Sequence, residues 1–163
     1  MNTAAPEPAP TYLQLRDRIL SLDPSELGLS PSQAAPHVWG VLVETGYEVG
    51  SATLVALADG TTSLHYSTGG GVLGRGDYPP VAEASKSLVI ESENFLQQMA
   101  GATQFPLPEV GQVRFILLTY SGSYAASASE KSLASNKHPL SPLFKLAKQT
   151  LSQLRWLAEK GRK

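Results

Sequence analysis

Three stretches of the chain repeat apolar residues at the three-to-four-residue spacing of an amphipathic helix. They cover residues 11–22, residues 79–99 and a last segment that begins at Ser141. In the first stretch Leu15, Ile19 and Leu22 form the apolar face, and Arg16 is expected to point outward with its neighbours. Each helix is therefore predicted to pack one face on a sheet.

Five other stretches are continuously apolar or alternate between apolar and polar residues, as strands do. They are residues 37–45, 51–58, 61–67, 112–120 and 124–129. Asp59-Gly60 separates the second from the third and suits a tight hairpin turn. The order α-β-β-β-α-β-β-α predicts an α+β fold: a single five-stranded antiparallel sheet with helices packed on it. The last predicted strand consists of small and polar residues, so it is expected at an edge of the sheet.

The amino-acid composition excludes some classes of function for this protein. The chain has 163 residues, a net charge of −1, 42% hydrophobic and 17% charged residues, and no cysteine. Nucleic-acid binders show a basic excess, so that class is not expected. Residues 1–10 are rich in Ala and Pro and are predicted to be a disordered tail before a single α+β domain at residues 11–163. Without a signal peptide or an apolar stretch that could span a membrane, the protein is expected in the cytoplasm.

A glycine-rich loop at residues 69–76 follows the third predicted strand. Gly69, Gly71 and Gly74 match the spacing G-x-G-x-x-G, whose amides can cradle a phosphate. The candidate ligand-binding residues are therefore His65, Tyr66, Gly69, Gly70, Gly71, Gly74 and Arg75. Against a nucleotide site, the dinucleotide fingerprint opens its helix directly, whereas two prolines and Asp77 intervene here, and there is no Walker lysine. The alternative is a plain strand-to-helix connection.

No other cluster of side chains predicts catalysis or metal binding. His37, His65 and His138 lie far apart and lack the spacing of zinc ligands. No nucleophile elbow surrounds a serine. Glu44 ends an apolar strand and is expected either to pair with Arg114 or to be a carboxylate with a raised pKa. No catalytic residue, metal or cofactor is therefore assigned.

Three segments carry a resemblance: VWGVLVETGY, TLVALADGTTSLHYSTGGGVLG and HPLSPLF. Across residues 36–157 they resemble a family of small bacterial proteins, and the resemblance implies no activity, substrate or catalytic residue. The element order is also similar to profilin-like domains of the roadblock and longin type, which implies dimerisation or GTPase regulation. Roadblock proteins place two strands before the middle helix, whereas three are predicted here.

Two functions from different classes fit these observations. The leading interpretation is a non-enzymatic interaction module that forms a homodimer, because net charge near zero does little to keep copies apart. Trp156 on the last helix is its interface candidate. The alternative is a small-ligand or nucleotide/anion-binding protein that uses the glycine-rich loop. A toxin-immunity or secretion-associated partner is a third class.

Overall fold

A computed structural model of the protein describes residues 7–74 and 78–160. The expected tail falls partly on residues 1–6, which lie outside the described residues. The same holds for Arg75 of the predicted ligand site and for Asp77, which precedes the second predicted helix. Within the described part, the first helix already begins at Pro10, and the Ala9 N–H donates to the Ser67 carbonyl oxygen at 2.7 Å.

One antiparallel sheet organises the fold. Its strands in chain order are β1 Val38–Tyr47, β2 Gly50–Leu57, β3 Thr62–Tyr66, β4 Gly71–Gly74, β5 Ala100–Ala102, β6 Gln112–Thr119 and β7 Gly122–Ser129. In space the order is β4-β3-β2-β1-β6-β7-β5. Short turns join β1 to β4 as a meander, and the segment after β5 returns the chain to the middle of the sheet beside β1.

The α+β class and the antiparallel sheet are confirmed, but the predicted number of five strands is wrong because the sheet has seven. The two strands that were not predicted are the edges, β4 and β5. Their sequences, GVLG and AGA, are short and glycine-containing, so they lack the β-branched pattern that marks a strand. Four strands rather than three therefore precede the middle helix, and β7 is not an edge because β5 pairs with it.

Within residues 7–74 and 78–160, four α-helices accompany the sheet: α1 Pro10–Leu20, α2 Pro79–Ser92, α3 Glu130–Ala134 and α4 Ser141–Lys160. The helix predicted over residues 79–99 is α-helical only to Ser92 and continues as a 3-10 turn over Glu93–Gln98. The Glu93 carboxylate accepts the backbone N–H groups of His37 and Val38 at 2.7 and 2.6 Å, which ties this turn to the start of β1.

Helices cover both faces of the sheet. One face packs against α2 and α4 through a large apolar core that includes Val41, Leu88, Phe115, Leu143 and Leu154. The other face carries a smaller apolar cluster against α1 and the loops: Trp39, Leu42, Val55, Leu57, Ile116 and Leu118, with Ile19 and Leu20 of α1 packed on it. Among the described residues, no helix is both long and apolar enough to cross a membrane.

The orientation predicted for α1 is wrong in its first turns, although Ile19 and Leu22 of the predicted apolar face do pack on the smaller apolar cluster. Arg16 was expected to face outward, but it is 6% exposed, whereas Leu15, expected on the buried face, is 42% exposed. The residues that α1 buries are Tyr12 and Arg16. The helix is rotated this way because the part of the sheet beneath its first turns is polar.

Candidate functional site

The glycine-rich segment is a β-hairpin turn followed by a strand. Gly69 and Gly70 have φ of +108° and +79°, the left-handed conformations that glycine adopts without steric cost. The Tyr66 N–H donates to the Gly70 carbonyl oxygen at 3.1 Å, which closes the turn between β3 and β4. The expected strand-to-helix connection is therefore an extra strand, and G-x-G-x-x-G does not open a helix here.

Gly71 and Gly74, the other two glycines of the predicted site, lie where close packing leaves no room for a side chain. A Cβ at Gly71 would collide with the carbonyl oxygen of Leu64 on the neighbouring strand. A Cβ at Gly74 would lie 3.0 Å from Leu154 and 3.1 Å from Val81, where α4 and α2 close on the strand. The glycine spacing is thus explained by a turn, a close strand contact and helix–sheet packing.

The hairpin and α1 together form a groove of about 380 Å³. Five of the predicted ligand-binding residues line it: His65, Tyr66, Gly69, Gly70 and Gly71. The other lining residues come from α1 and β4, which the prediction did not include: Thr11, Tyr12, Leu15, Val72 and Leu73. Gly74 does not line the groove, and Arg75 lies outside the described residues.

His65 and Tyr66 are neighbours on β3, so their side chains point to opposite faces of the sheet. Tyr66 packs on the large core beside α4, with Leu64, whereas His65 faces the α1 side with Ser63. His65 Nε2 lies 2.9 Å from Ser63 Oγ, and burial lowers the pKa of His65. His65 is therefore mostly uncharged at neutral pH and offers an anion no positive charge.

The groove has apolar walls at an open sheet edge. Leu15 of α1 is 42% exposed and Leu73 of β4 is 58% exposed. Among the described strands, β4 is last in the sheet order on this side, so one side of its backbone has no strand partner. Such an edge can pair with another extended chain.

A row of polar residues crosses the sheet on the face beneath α1. Cross-strand partners point to the same face, and the register aligns Ser127, Arg114, Glu44, Thr53 and His65 across β7, β6, β1, β2 and β3. This row is the reason that α1 turns polar side chains toward the sheet. This row cannot be recognised in the sequence, because its five residues come from five different strands.

Glu44 is fully buried in this row, and its partner is Arg16. The guanidinium donates from Nε to Oε2 at 2.6 Å and from Nη2 to Oε1 at 2.8 Å, a two-point contact. Arg16 also donates to the Phe105 carbonyl oxygen at 2.7 Å. The expected partner Arg114 lies opposite Glu44 in the register, but its buried Nε makes no hydrogen bond within the described part of the chain.

Hydroxyl groups extend the network to the groove. Thr53 donates to Glu44 at 2.8 Å, and the Tyr12 hydroxyl lies 2.7 Å from Thr53 Oγ1 and 3.1 Å from Ser51 Oγ. Burial raises the pKa of Tyr12, so the phenol stays protonated and can donate. Because Tyr12 also lines the groove, the network holds one groove wall in place.

Trp156, the expected interface residue, lies on the opposite side of the sheet from the groove. Its ring meets Tyr78 edge-to-face with centroids 5.3 Å apart, and Lys160 Nζ lies 4.8 Å from its centroid. Its side chain remains 42% exposed. The structure gives it intramolecular partners while leaving part of the ring accessible.

The described residues hold no cluster of three or more His, Asp or Glu side chains that could bind a metal ion. Comparison of the chain with protein-family models, with curated proteins and with solved structures found no match.

Proposed function

We propose that this protein is a non-enzymatic interaction module that forms a homodimer by pairing strand β4 with β4 of a second copy. The observation that carries the proposal is the open edge of β4, flanked by the exposed side chains of Leu73 and Leu15. The cytoplasmic setting expected from the sequence belongs to the same proposal.

The backbone of β4 supports pairing. In an antiparallel ladder, hydrogen-bonded and non-hydrogen-bonded residue pairs alternate. Tyr66 N–H bonds to Gly70, so the next hydrogen-bonded pair is Leu64 with Val72. Leu73 therefore directs its N–H and carbonyl group away from β3, toward the open edge.

The symmetry of such a pair favours a second copy as the partner. Two antiparallel edges related by a two-fold axis offer each other the same donors and acceptors. The sequence of β4, GVLG, contains no charge that would repel its own copy, and the chain has a net charge of −1. Because β4 has only four residues, burial of Leu73 and Leu15 must supply much of the free energy of association.

Sedimentation velocity over a range of protein concentrations tests the proposal. The wild-type protein is expected to shift from monomer to dimer as concentration rises. Leu73→Lys should remain monomeric, because a charge at the centre of the paired edge is buried without a partner. Its melting temperature should match that of the wild-type monomer, since Leu73 is exposed.

Val49→Lys is the matched control. Val49 is 69% exposed and lies in the turn between β1 and β2, strands that are separated from β4 by β3 in the sheet order. This variant should dimerise like the wild type. A wild-type protein that stays monomeric at high concentration, or a Leu73→Lys dimer of unchanged affinity, would overturn the proposal.

A second candidate function is binding of a phosphate-bearing ligand in the groove. It is supported by the convergence of five predicted residues on one concave surface. A ligand that binds only the folded protein stabilises it by about 2.7 kcal/mol at a hundredfold excess over its dissociation constant. Inorganic phosphate and ATP should therefore raise the melting temperature.

Leu15→Glu locates that binding. It places a carboxylate on the groove wall and should weaken anion binding by repulsion. Leu27→Glu is its control, because Leu27 is a similarly exposed leucine outside the groove. Equal shifts in both variants, or no shift with either ligand, would exclude the groove as an anion site.

A further inference from the structure

A second concave site lies on the other face of the sheet, between α4 and strands β1 to β3. It is a cavity of about 90 Å³. Its inner end is apolar and buried: Val43, Leu54 and Leu64 are 5%, 4% and 2% exposed and adjoin each other in the strand register. Phe144 and Ala147 of α4 close it from above.

Small residues create this cavity. In the next set of cross-strand partners on this face, Ala52 of β2 lies between Thr45 of β1 and Tyr66 of β3. Ala147 of α4 lines the same cavity from the helix side. Both alanines are nearly buried, at 9% and 3% exposure. Larger side chains, among them Leu54, Tyr66 and Phe144, line the rest of the cavity. Protein interiors contain few such voids, because most are filled by close packing.

Polar groups converge on the outer end of the cavity. Tyr47, Tyr66, Lys148 and Arg155 line it. Lys148 and Arg155 are one heptad apart on α4, so both lie on the helix face that also bears Phe144 and Ala147. Burial, with Glu130 nearby, raises the pKa of Tyr47, so its phenol stays protonated and can donate a hydrogen bond.

The charge at this mouth is positive. Lys148 Nζ lies 3.8 Å from a Glu130 carboxylate oxygen, a long contact between partly exposed groups. Arg155 makes no salt bridge to any described residue. Two cations and two phenols therefore line the opening, and the one carboxylate near them, Glu130, does not line it.

We propose that this cavity is a binding site for a small anionic amphiphile, a carboxylate carrying a short aliphatic chain or a single ring. The apolar tail lies over Ala52 beneath Ala147, and the carboxylate meets Arg155, Lys148 and the Tyr47 hydroxyl. The volume of about 90 Å³ holds on the order of six to nine heavy atoms, given about 10–15 Å³ for each water-sized group. This site is independent of dimerisation through β4, because it lies on the opposite face of the sheet.

Titration of the wild-type protein with hexanoate, followed by amide NMR, tests the site. Saturable shifts are expected at residues that line the cavity, in β1, β2 and α4. Hexanol and hexylamine carry the same tail with a neutral or positive head group, so they should bind at least several-fold more weakly. Decanoate should also bind more weakly, because its tail exceeds the cavity.

Two kinds of variant test the contacts of the ligand's apolar tail and of its carboxylate separately. Ala52→Leu fills the apolar end and should abolish hexanoate binding; Ala147→Val fills it less and serves if the first variant does not fold. Arg155→Gln should weaken binding roughly threefold to fivefold, as expected for an exposed charge pair. Lys145→Gln removes an exposed cation of α4 outside the cavity and should leave the affinity unchanged.

Several results would overturn the proposal. One is hexanoate binding no more tightly than hexylamine. Another is the absence of a chemical-shift change at any cavity residue at millimolar hexanoate. Unchanged affinity in a folded Ala52→Leu or Ala147→Val variant would place the ligand elsewhere. Equal losses in Arg155→Gln and Lys145→Gln would reduce the effect to general charge attraction.

Discussion

The buried pair of Arg16 and Glu44 is the residue-scale feature that most shapes this molecule. Both side chains are almost completely removed from solvent and make a two-point contact. A buried carboxylate is costly unless its charge is compensated. The pair therefore fixes the position and rotation of α1, and with them one wall of the groove.

Replacing Arg16 by Ala should lower the free energy of unfolding by about 3–5 kcal/mol, because it leaves the charge of Glu44 buried without a partner. Urea denaturation measures this change. Arg18→Ala, which removes an exposed arginine from the same helix, should change the stability by less than about 0.5 kcal/mol. Similar losses in the two variants would contradict the assignment of Arg16 as the partner of Glu44.

His65 should make stability depend on pH. Burial lowers its pKa in the folded protein, so between that pKa and the ordinary value near 6.5 the unfolded chain binds more protons. The free energy of unfolding from this group is therefore greatest above pH about 6.5 and falls as pH decreases through this window. In His65→Asn the fall should be smaller, measured by urea denaturation at a series of pH values. An unchanged pH profile would show that His65 is not the group responsible.

At this scale the sequence selected part of the groove lining. It selected His65, Tyr66 and the turn glycines, because a turn signal and a glycine cluster are local features. It placed Arg16 on the wrong side of α1, because the polar row beneath the helix is assembled from separate strands. Only the strand register shows that an arginine on this helix has a buried carboxylate to bind.

At the scale of elements, the long apolar strands were predictable and the short edges were not. Strand β1 reads as apolar over most of its length, and eight of its ten residues pair with β2. The edges β4 and β5 form because a neighbouring strand offers hydrogen-bonding groups, a tertiary effect that local propensity does not contain. The 3-10 turn after α2 ends the helix early for a similar reason, since Glu93 is held by the start of β1.

Gly71→Ala tests the identity of β4 as a strand. Its Cβ would meet the Leu64 carbonyl oxygen, so β4 must move away from β3, and we expect a loss of about 1–3 kcal/mol. Thermal or urea unfolding measures it. Gly101→Ala is the control in the other edge strand, where nothing lies within 4 Å of the added Cβ. Equal stability of the two variants would show that β4 is not held against β3 as described.

At the scale of the whole molecule, the sheet separates two concave surfaces that we propose as binding sites. The groove lies on the α1 face at an open edge, and the cavity lies under α4 on the other face. Tyr66 borders both, because its backbone lies at the hairpin and its side chain points toward α4. The sequence predicted the class of the fold, but neither face could be assigned before the strand order was known.

Amide hydrogen exchange of Leu73 as a function of protein concentration tests the central claim, pairing of β4 with a second copy. The Leu73 N–H points to the open edge, so it should exchange rapidly in dilute protein and become protected as the dimer forms. The Gly101 amide in the other edge strand should show no such concentration dependence. Rapid exchange of Leu73 at every concentration, or the same concentration-dependent protection at Gly101, would contradict the pairing of β4 with a second copy.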